Sequence, residues 1–253
     1  MSDESVVSGI ISASALQQYV DVFTPIVDEG RVHFGDDGIY TGVVDSANVA
    51  MQEAELSRNA FEAYDSPGAA TIGVSFNRLD EVLDVADSGA LVHFGVNMET
   101  RKLELQFDGV EQDVATIDPD AIRQEPDQPD VDLPNMAALT QAQLDQAIEV
   151  ADLNSDHIEV VGATDGSVTF VGSGDIDEGR VVFEDADLSF AEVNEDTSSL
   201  FSLEYVTELH NPVPKGVEVE LWFGQEFPMK WHWEHEDGAL TVDASLAPRI
   251  RSD

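Results

Sequence analysis

The sequence predicts an α+β chain made of two tandem, similar domains of antiparallel sheet with short helices. Three observations carry this. Apolar and polar residues alternate along most of the chain, four short helical stripes interrupt the alternation, and the pattern recurs after about 128 residues.

The alternation is plainest at Val217, Val219, Leu221 and Phe223, set between Glu218, Glu220 and Trp222. Leu103, Leu105 and Phe107 alternate with Glu104 and Gln106, and Val32/Phe34, Ile158/Val160 and Val168/Phe170 keep the same period of two. Each reads as a strand with one buried and one wet face. Turn dipeptides fall between strands at Asp37-Gly38, Asp108-Gly109, Asp165-Gly166 and Asp237-Gly238.

Helical spacing appears at Leu16, Tyr19, Val20 and Phe23, at Leu79, Val82, Leu83 and Ala86, and at Leu144, Ala147, Ile148 and Ala151. Thr140 and Gln143 form a capping box ahead of the third stripe. A fourth, from Ser202 to His210, carries Leu203, Val206 and Leu209 and is stopped by Pro212 and Pro214. Leu16 and Leu144 are 128 residues apart, as are the turns Asp37-Gly38 and Asp165-Gly166, and Leu83 and Leu209 are 126 apart. This period is too long for a solenoid repeat and marks a duplicated domain. The expected organisation is a first domain over 1–118, a connector over 119–135 and a second domain over 136–253. Pro119, Pro126, Pro129 and Pro134, with acidic residues between them, predict that the connector is an extended, solvated strap without helix.

Charge is the chain's unusual property. Its 253 residues hold 52 acidic against 11 basic side chains, a net −41, and Lys102, Lys215 and Lys230 are its only lysines. The acids are scattered among regularly spaced apolar residues. That favours a folded protein with an acidic surface, suited to concentrated salt, over a disordered acidic tail. At about 1 M salt the Debye length is only about 3 Å, which screens such a surface. The 42% hydrophobic content supplies a core. The absence of cysteine removes disulfides, thiolate nucleophiles and cysteine metal sites. With neither a signal-peptide pattern nor a run of roughly 18 apolar residues, the expected location is the cytosol of a high-salt prokaryote, with no membrane partner.

No motif assembles a reaction centre. His232, Glu234, His235 and Glu236 suggest a metal, but His232 and His235 point to opposite faces of an extended strand. Gly172–Gly179, with Asp175, Asp177 and Glu178, lacks the ordered ligands of a calcium loop and reads as an acidic hairpin turn. There is neither a Walker loop nor a nucleophile elbow. No metal or cofactor is expected, and the chain is not expected to be an enzyme.

Several segments resemble the proliferating cell nuclear antigen family of DNA sliding clamps. Gly38 to Val49 reads GIYTGVVDSANV, with the Asp45-Ser46-x-x-Val49 core of that family's early signature. Leu246-Ala247-Pro248-Arg249-Ile250 is similar to its C-terminal Leu-Ala-Pro-Lys-Ile, and Phe61-Glu62-x-Tyr64 and Gly73-Val74 also correspond. The segments are short, but they occur in register along nearly the whole chain.

The resemblance implies a clamp fold in which three subunits close a ring, helices line the hole and sheets face outward. It places the subunit interface at the edges Val110–Ile117 and Gly179–Asp185, with Val181 and Phe183 in contact. It places a pocket for partner peptides at Val44, Val49, Met51, Leu133, Pro134, Pro228 and Ala247; on residues alone Val44, Val49 and Met51 read as strand core, and the resemblance reverses that reading. The DNA-facing positions become Gln17, Gln18, Arg78, Glu81, Asp84, Gln146, Glu149, Glu204 and Asn211. Basic residues are the family's rule there, and Arg78 alone keeps a cation. An acidic lining cannot bind DNA by counterion release. Retention by enclosure is then expected, with solvent cations bridging carboxylates and phosphates.

The implied function is a processivity factor. It encircles duplex DNA as a homotrimer and tethers DNA polymerase, the clamp loader, flap endonuclease and DNA ligase. An acidic DNA-mimic decoy would explain the charge but not the repeat, and a halophilic enzyme would need a site that the sequence does not show.

Overall fold

The computed structural model describes residues 6–124 and 131–250. The first half runs β1 (Val7–Ser12), α1 (Ala13–Asp21), β2 (Glu29–Gly35), β3 (Gly38–Val44), β4 (Ala50–Ser57), β5 (Phe61–Asp65), β6 (Ala70–Ser75), α2 (Phe76–Leu83), β7 (Leu91–Asn97), β8 (Lys102–Phe107) and β9 (Val110–Ala115). The second runs β10 (Asn135–Thr140), α3 (Gln141–Asp152), β11 (His157–Gly162), β12 (Val168–Ser173), β13 (Glu178–Phe183), β14 (Phe190–Val193), β15 (Thr197–Ser202), α4 (Leu203–His210), β16 (Glu218–Phe223), β17 (Met229–His235) and β18 (Leu240–Leu246). Each half is therefore one strand, a helix, five strands, a helix and three strands. The duplication holds element by element.

Contacts group the chain into two compact units. One comprises Met1–Ser46, Gln52–Pro126 and His235–Val242, and the other Ala47–Met51, Asp127–Glu234 and Asp243–Asp253. Strands β4 and β18 thus each contribute residues to both units.

Strand order repeats as well. The first half has β5-β1-β7-β8-β9 and β4-β3-β2-β6; the second has β14-β10-β16-β17-β18 and β13-β12-β11-β15. Strands pair antiparallel, for example Leu105 opposite Gln112 and Phe170 opposite Val181. Strands β9 and β13 each end a sheet and leave one edge open.

The helices form where the stripes predict, and their starts have a common cause. Ser12, Ser75 and Thr140 each close a strand and accept a backbone N–H of the following helix through the side-chain oxygen. Thr140 and Gln143 make the reciprocal capping box. Ser202 occupies the fourth such position without a side-chain cap, and α4 begins one residue after the predicted start. Helix α2 buries Phe76, Leu79, Val82 and Leu83 and ends there, before Ala86. In the first unit Phe23 stacks on Phe76 with centroids 4.8 Å apart. In the second, Leu144, Ala147 and Ala151 bury the matching face of α3.

Two expectations are corrected. The connector is not a helix-free solvated strap over its described residues. Pro119–Ala121 form a 3₁₀ turn capped by Asp118, because proline suits the first helical position. Ile122 is buried, and Arg31 donates from Nε to Pro119 O and from Nη2 to Ile122 O, both at 2.8 Å. Asn135 already belongs to β10 and is fully buried; Pro126 and Pro129 lie outside the described residues. The free edge foreseen over Val110–Ile117 is also shorter. Ile117 exchanges backbone hydrogen bonds with Gly73, and Thr116 N donates to Arg101 O.

Candidate docking surfaces and helix faces

The helix faces come from the strand-to-helix corners that Ser12, Ser75, Thr140 and Ser202 create. Arg78, Glu81, Asp84, Gln146, Glu149, Glu204 and Asn211 are all exposed on or just beyond their helices. Gln17 and Gln18 are only half-buried, and Gln17 is engaged between helices. Its Nε2 donates to Asp21 at 2.7 Å and to Asp80 of α2 at 2.6 Å. Asp21 is pushed above the usual carboxylate range, chiefly by burial and further by Asp80 and Asp84, while the Gln17 bond opposes the shift. Arg78 contributes little free charge, because Glu81 lies 2.7 Å from it.

The second unit has a comparable tie. His210 Nε2 lies 2.7 Å from Asp145 Oδ1, joining α4 to α3. Burial pulls the imidazole below its ordinary value against the opposing pull of Asp145. Its Nδ1 is buried with no hydrogen-bond partner among the described residues. Sequence reading missed this pair, as nothing local links residues 65 positions apart.

At the open edges, β9 exposes Glu111, Asp113 and Ala115, and β13 exposes Glu178, Arg180 and Val182. Val181 is half-buried. Phe183, anticipated as a contact with a neighbour, is already buried in its own unit, edge-on to Phe170 at 6.1 Å. Phe183 keeps only 6% exposure, so the large exposed apolar group on this edge is Val182.

The residues anticipated for peptide anchors fall in three places. Val44 is buried and lines a recess of about 540 Å³ in the first unit with Pro25, Ile26, Ile122 and Arg123. In the second unit, Val49 and Met51 are half-buried, and Val49 O accepts from Ala247 N at 2.8 Å. Leu133 and Pro134 converge on Gly224, where an added Cβ would meet Pro134 at 3.0 Å, Phe227 at 3.3 Å and Leu133 at 3.5 Å. Half-buried Pro228 follows Phe227. Phe227, 47% exposed, is an apolar group of this patch that the sequence reading passed over; a phenylalanine beside Pro228 was the available signal.

His232 pairs with Asp243 at 2.9 Å and does not converge with His235. Among the described residues no group of three or more His, Asp or Glu is placed to hold a metal. The Gly172–Gly179 segment is a hairpin turn, with Gly172 opposite Gly179 and Gly174 N bonded to Asp177 O.

An α+β chain duplicated element by element, with β9 and β13 each ending a sheet and acidic helix faces, is a build that known proteins share. Residues 8–124 match the profile of "Proliferating cell nuclear antigen, N-terminal domain". The DNA polymerase sliding clamp of Natronomonas pharaonis is 41% identical over 245 residues, covering 96% of this chain and 98% of its own length. That of Haloarcula marismortui is 40% identical over 97% of this chain and 99% of its own. The solved structure of the C-terminal region of FEN-1 bound to A. fulgidus PCNA superposes with a TM-score of 0.91 at 29% identity, covering 98% of this chain and 100% of that one. The chain belongs to the proliferating cell nuclear antigen family of sliding clamps.

Proposed function

We propose that the chain is a DNA polymerase sliding clamp, a non-catalytic subunit of a homotrimeric ring that encircles duplex DNA in a salt-rich prokaryotic cytosol. The observation that carries this is the element-by-element duplication with β9 and β13 left open. Open edges invite pairing. Joining β9 of one copy to β13 of the next is a head-to-tail contact, and such contacts close into rings when the rotation permits. Helix faces carrying Arg78, Glu81, Asp84, Gln146, Glu149, Glu204 and Asn211 would line the opening. Their carboxylates gain nothing from DNA directly, so the ring holds by enclosure, with solvent cations between carboxylate and phosphate.

Polymerase, clamp loader, flap endonuclease and ligase would dock through apolar anchors at Val49, Met51, Leu133, Pro134, Pro228 and Ala247, with Phe227 added and Val44 placed beside the first unit's recess. The A. fulgidus relative carries the C-terminal region of FEN-1, which supports this reading. Light scattering in multimolar KCl tests the ring: a particle three times the chain's 27.5 kDa is expected, and a persistent monomer at high protein concentration overturns it. After loading, retention on circular DNA should outlast retention on linear DNA; equal loss from both would defeat enclosure.

A further inference from the structure

Beside the apolar patch at Gly224 the second unit holds a recess of different chemistry. Val131 and Leu133 lie with Trp222, Lys230 and Asp243 around a cavity of about 460 Å³, a volume within the range that binds side chains and small ligands. Strand alternation explains who faces it. Leu221, Phe223 and Trp233 point into the core, so Trp222 on β16 and Lys230 and His232 on β17 stand half-buried on the other face.

Lys230 is one of only three lysines in a chain of net −41. Yet its ammonium donates to a backbone carbonyl, Val131 O at 3.3 Å, and no carboxylate is paired with it among the described residues. Two acids border the recess: Asp132 stands exposed at its rim, and Asp243 is committed elsewhere, because His232 Nδ1 lies 2.9 Å from its Oδ1. The Asp243 bond, opposed by burial and helped by the charges of Glu220 and Glu234, raises the imidazole's pKa and favours the ion that cancels this carboxylate. The indole of Trp222 closes one side, edge-on to His232 at 6.4 Å. The recess therefore offers one ammonium that neither bordering carboxylate pairs with, and a flat apolar wall. Leu133 borders both this recess and the patch at Gly224.

We propose that this recess is an accessory docking site for an acidic segment of a partner protein, with Lys230 holding a carboxylate and Trp222 covering the stem of its side chain. The site rests on the reading that partner peptides seat their apolar anchors at Leu133, Pro134 and Phe227, and it receives the residues flanking those anchors. A half-buried ammonium is screened less than an exposed one, so the contact survives in the salt that suppresses long-range attraction. Charge-assisted bonds of this kind are about twice as strong as neutral ones.

The test uses two labelled peptides that share apolar anchors and differ in the flank, Asp/Glu in one and Asn/Gln in the other. Their binding to the assembled protein is followed by anisotropy in multimolar KCl. The acidic flank should strengthen binding roughly threefold to tenfold on the unaltered protein. Lys230→Met should abolish that gain while binding the neutral-flank peptide as before, which also shows that the variant is folded. The gain should shrink as pH rises through the His232 titration, because Asp243 then regains an uncancelled charge. No gain on the unaltered protein, or the same gain on Lys230→Met, overturns the proposal while the docking reading stands. Failure of both peptides to bind overturns the docking reading and this site with it. Inorganic phosphate that competes for Lys230 while the carboxylate flank adds nothing would make the recess a phosphate site and would also overturn the acidic segment.

Discussion

At Gly172 an added methyl group would lie 2.5 Å from the Cα and 2.7 Å from the carbonyl oxygen of Ala151. Both obstacles are backbone of α3, which cannot swing aside as a flexible side chain would. Gly172→Ala should therefore destabilise the protein by about 1–3 kcal/mol, the usual cost of overpacking, and a denaturant midpoint in high KCl measures it. The sequence showed this segment as an acidic turn, and its glycines gave no hint of a tight approach to a helix some twenty residues earlier. His210 was equally hidden. Its folded value lies below the ordinary 6.5 because burial disfavours the imidazolium, and Asp145 is the charged group that faces it. The unfolded chain then binds the proton more readily. The contribution to stability is complete above about pH 6.5 and is lost as pH falls through the folded value. His210→Gln should flatten the pH dependence of the unfolding midpoint between neutrality and mild acid. A variant with the full wild-type slope would remove His210 as its source.

Element by element, period and punctuation were legible. Leu144, Ala147 and Ala151 lie on the buried face of α3. Asp108-Gly109 and Asp237-Gly238 turn with positive φ at both residues, the geometry that favours glycine. The ends of elements were less legible, because tertiary partners decide them. Gly73 captures Ile117 and shortens the β9 edge, and Arg31 pins the connector's start. Candidate contacts at the β13 edge depended on which alternate residues face the core, and Phe183 faces it while Val182, 44% exposed, does not. Val182→Asp should leave the unit folded, since that side chain is exposed, but would put a carboxylate without a cation into the proposed contact with acidic β9. Burying such a group costs at least about 1–3 kcal/mol. Sedimentation should show trimer association weakened roughly tenfold or more, with unchanged far-ultraviolet circular dichroism. An intact trimer at low protein concentration would place the ring contact elsewhere.

For the molecule as a whole, the 52 acidic side chains set the conditions under which the fold and any ring persist. The Debye length grows from about 3 Å at 1 M to about 30 Å at 0.01 M ionic strength. On dilution, carboxylates that ignore one another in concentrated salt begin to repel across the molecule, and like charge favours expansion and separation. Dissociation, then unfolding, is expected on dialysis into dilute buffer. Two routes to salt protection make different demands on the cation. Screening needs only ionic strength, whereas bridging at fixed sites needs clustered ligands, and among the described residues no cluster of three or more His, Asp or Glu is placed for a metal. Potassium chloride and choline chloride at equal ionic strength should therefore restore the folded state with the same midpoint, followed by tryptophan fluorescence and light scattering. Protection by potassium alone would refute screening and require cation sites built into the acidic surface.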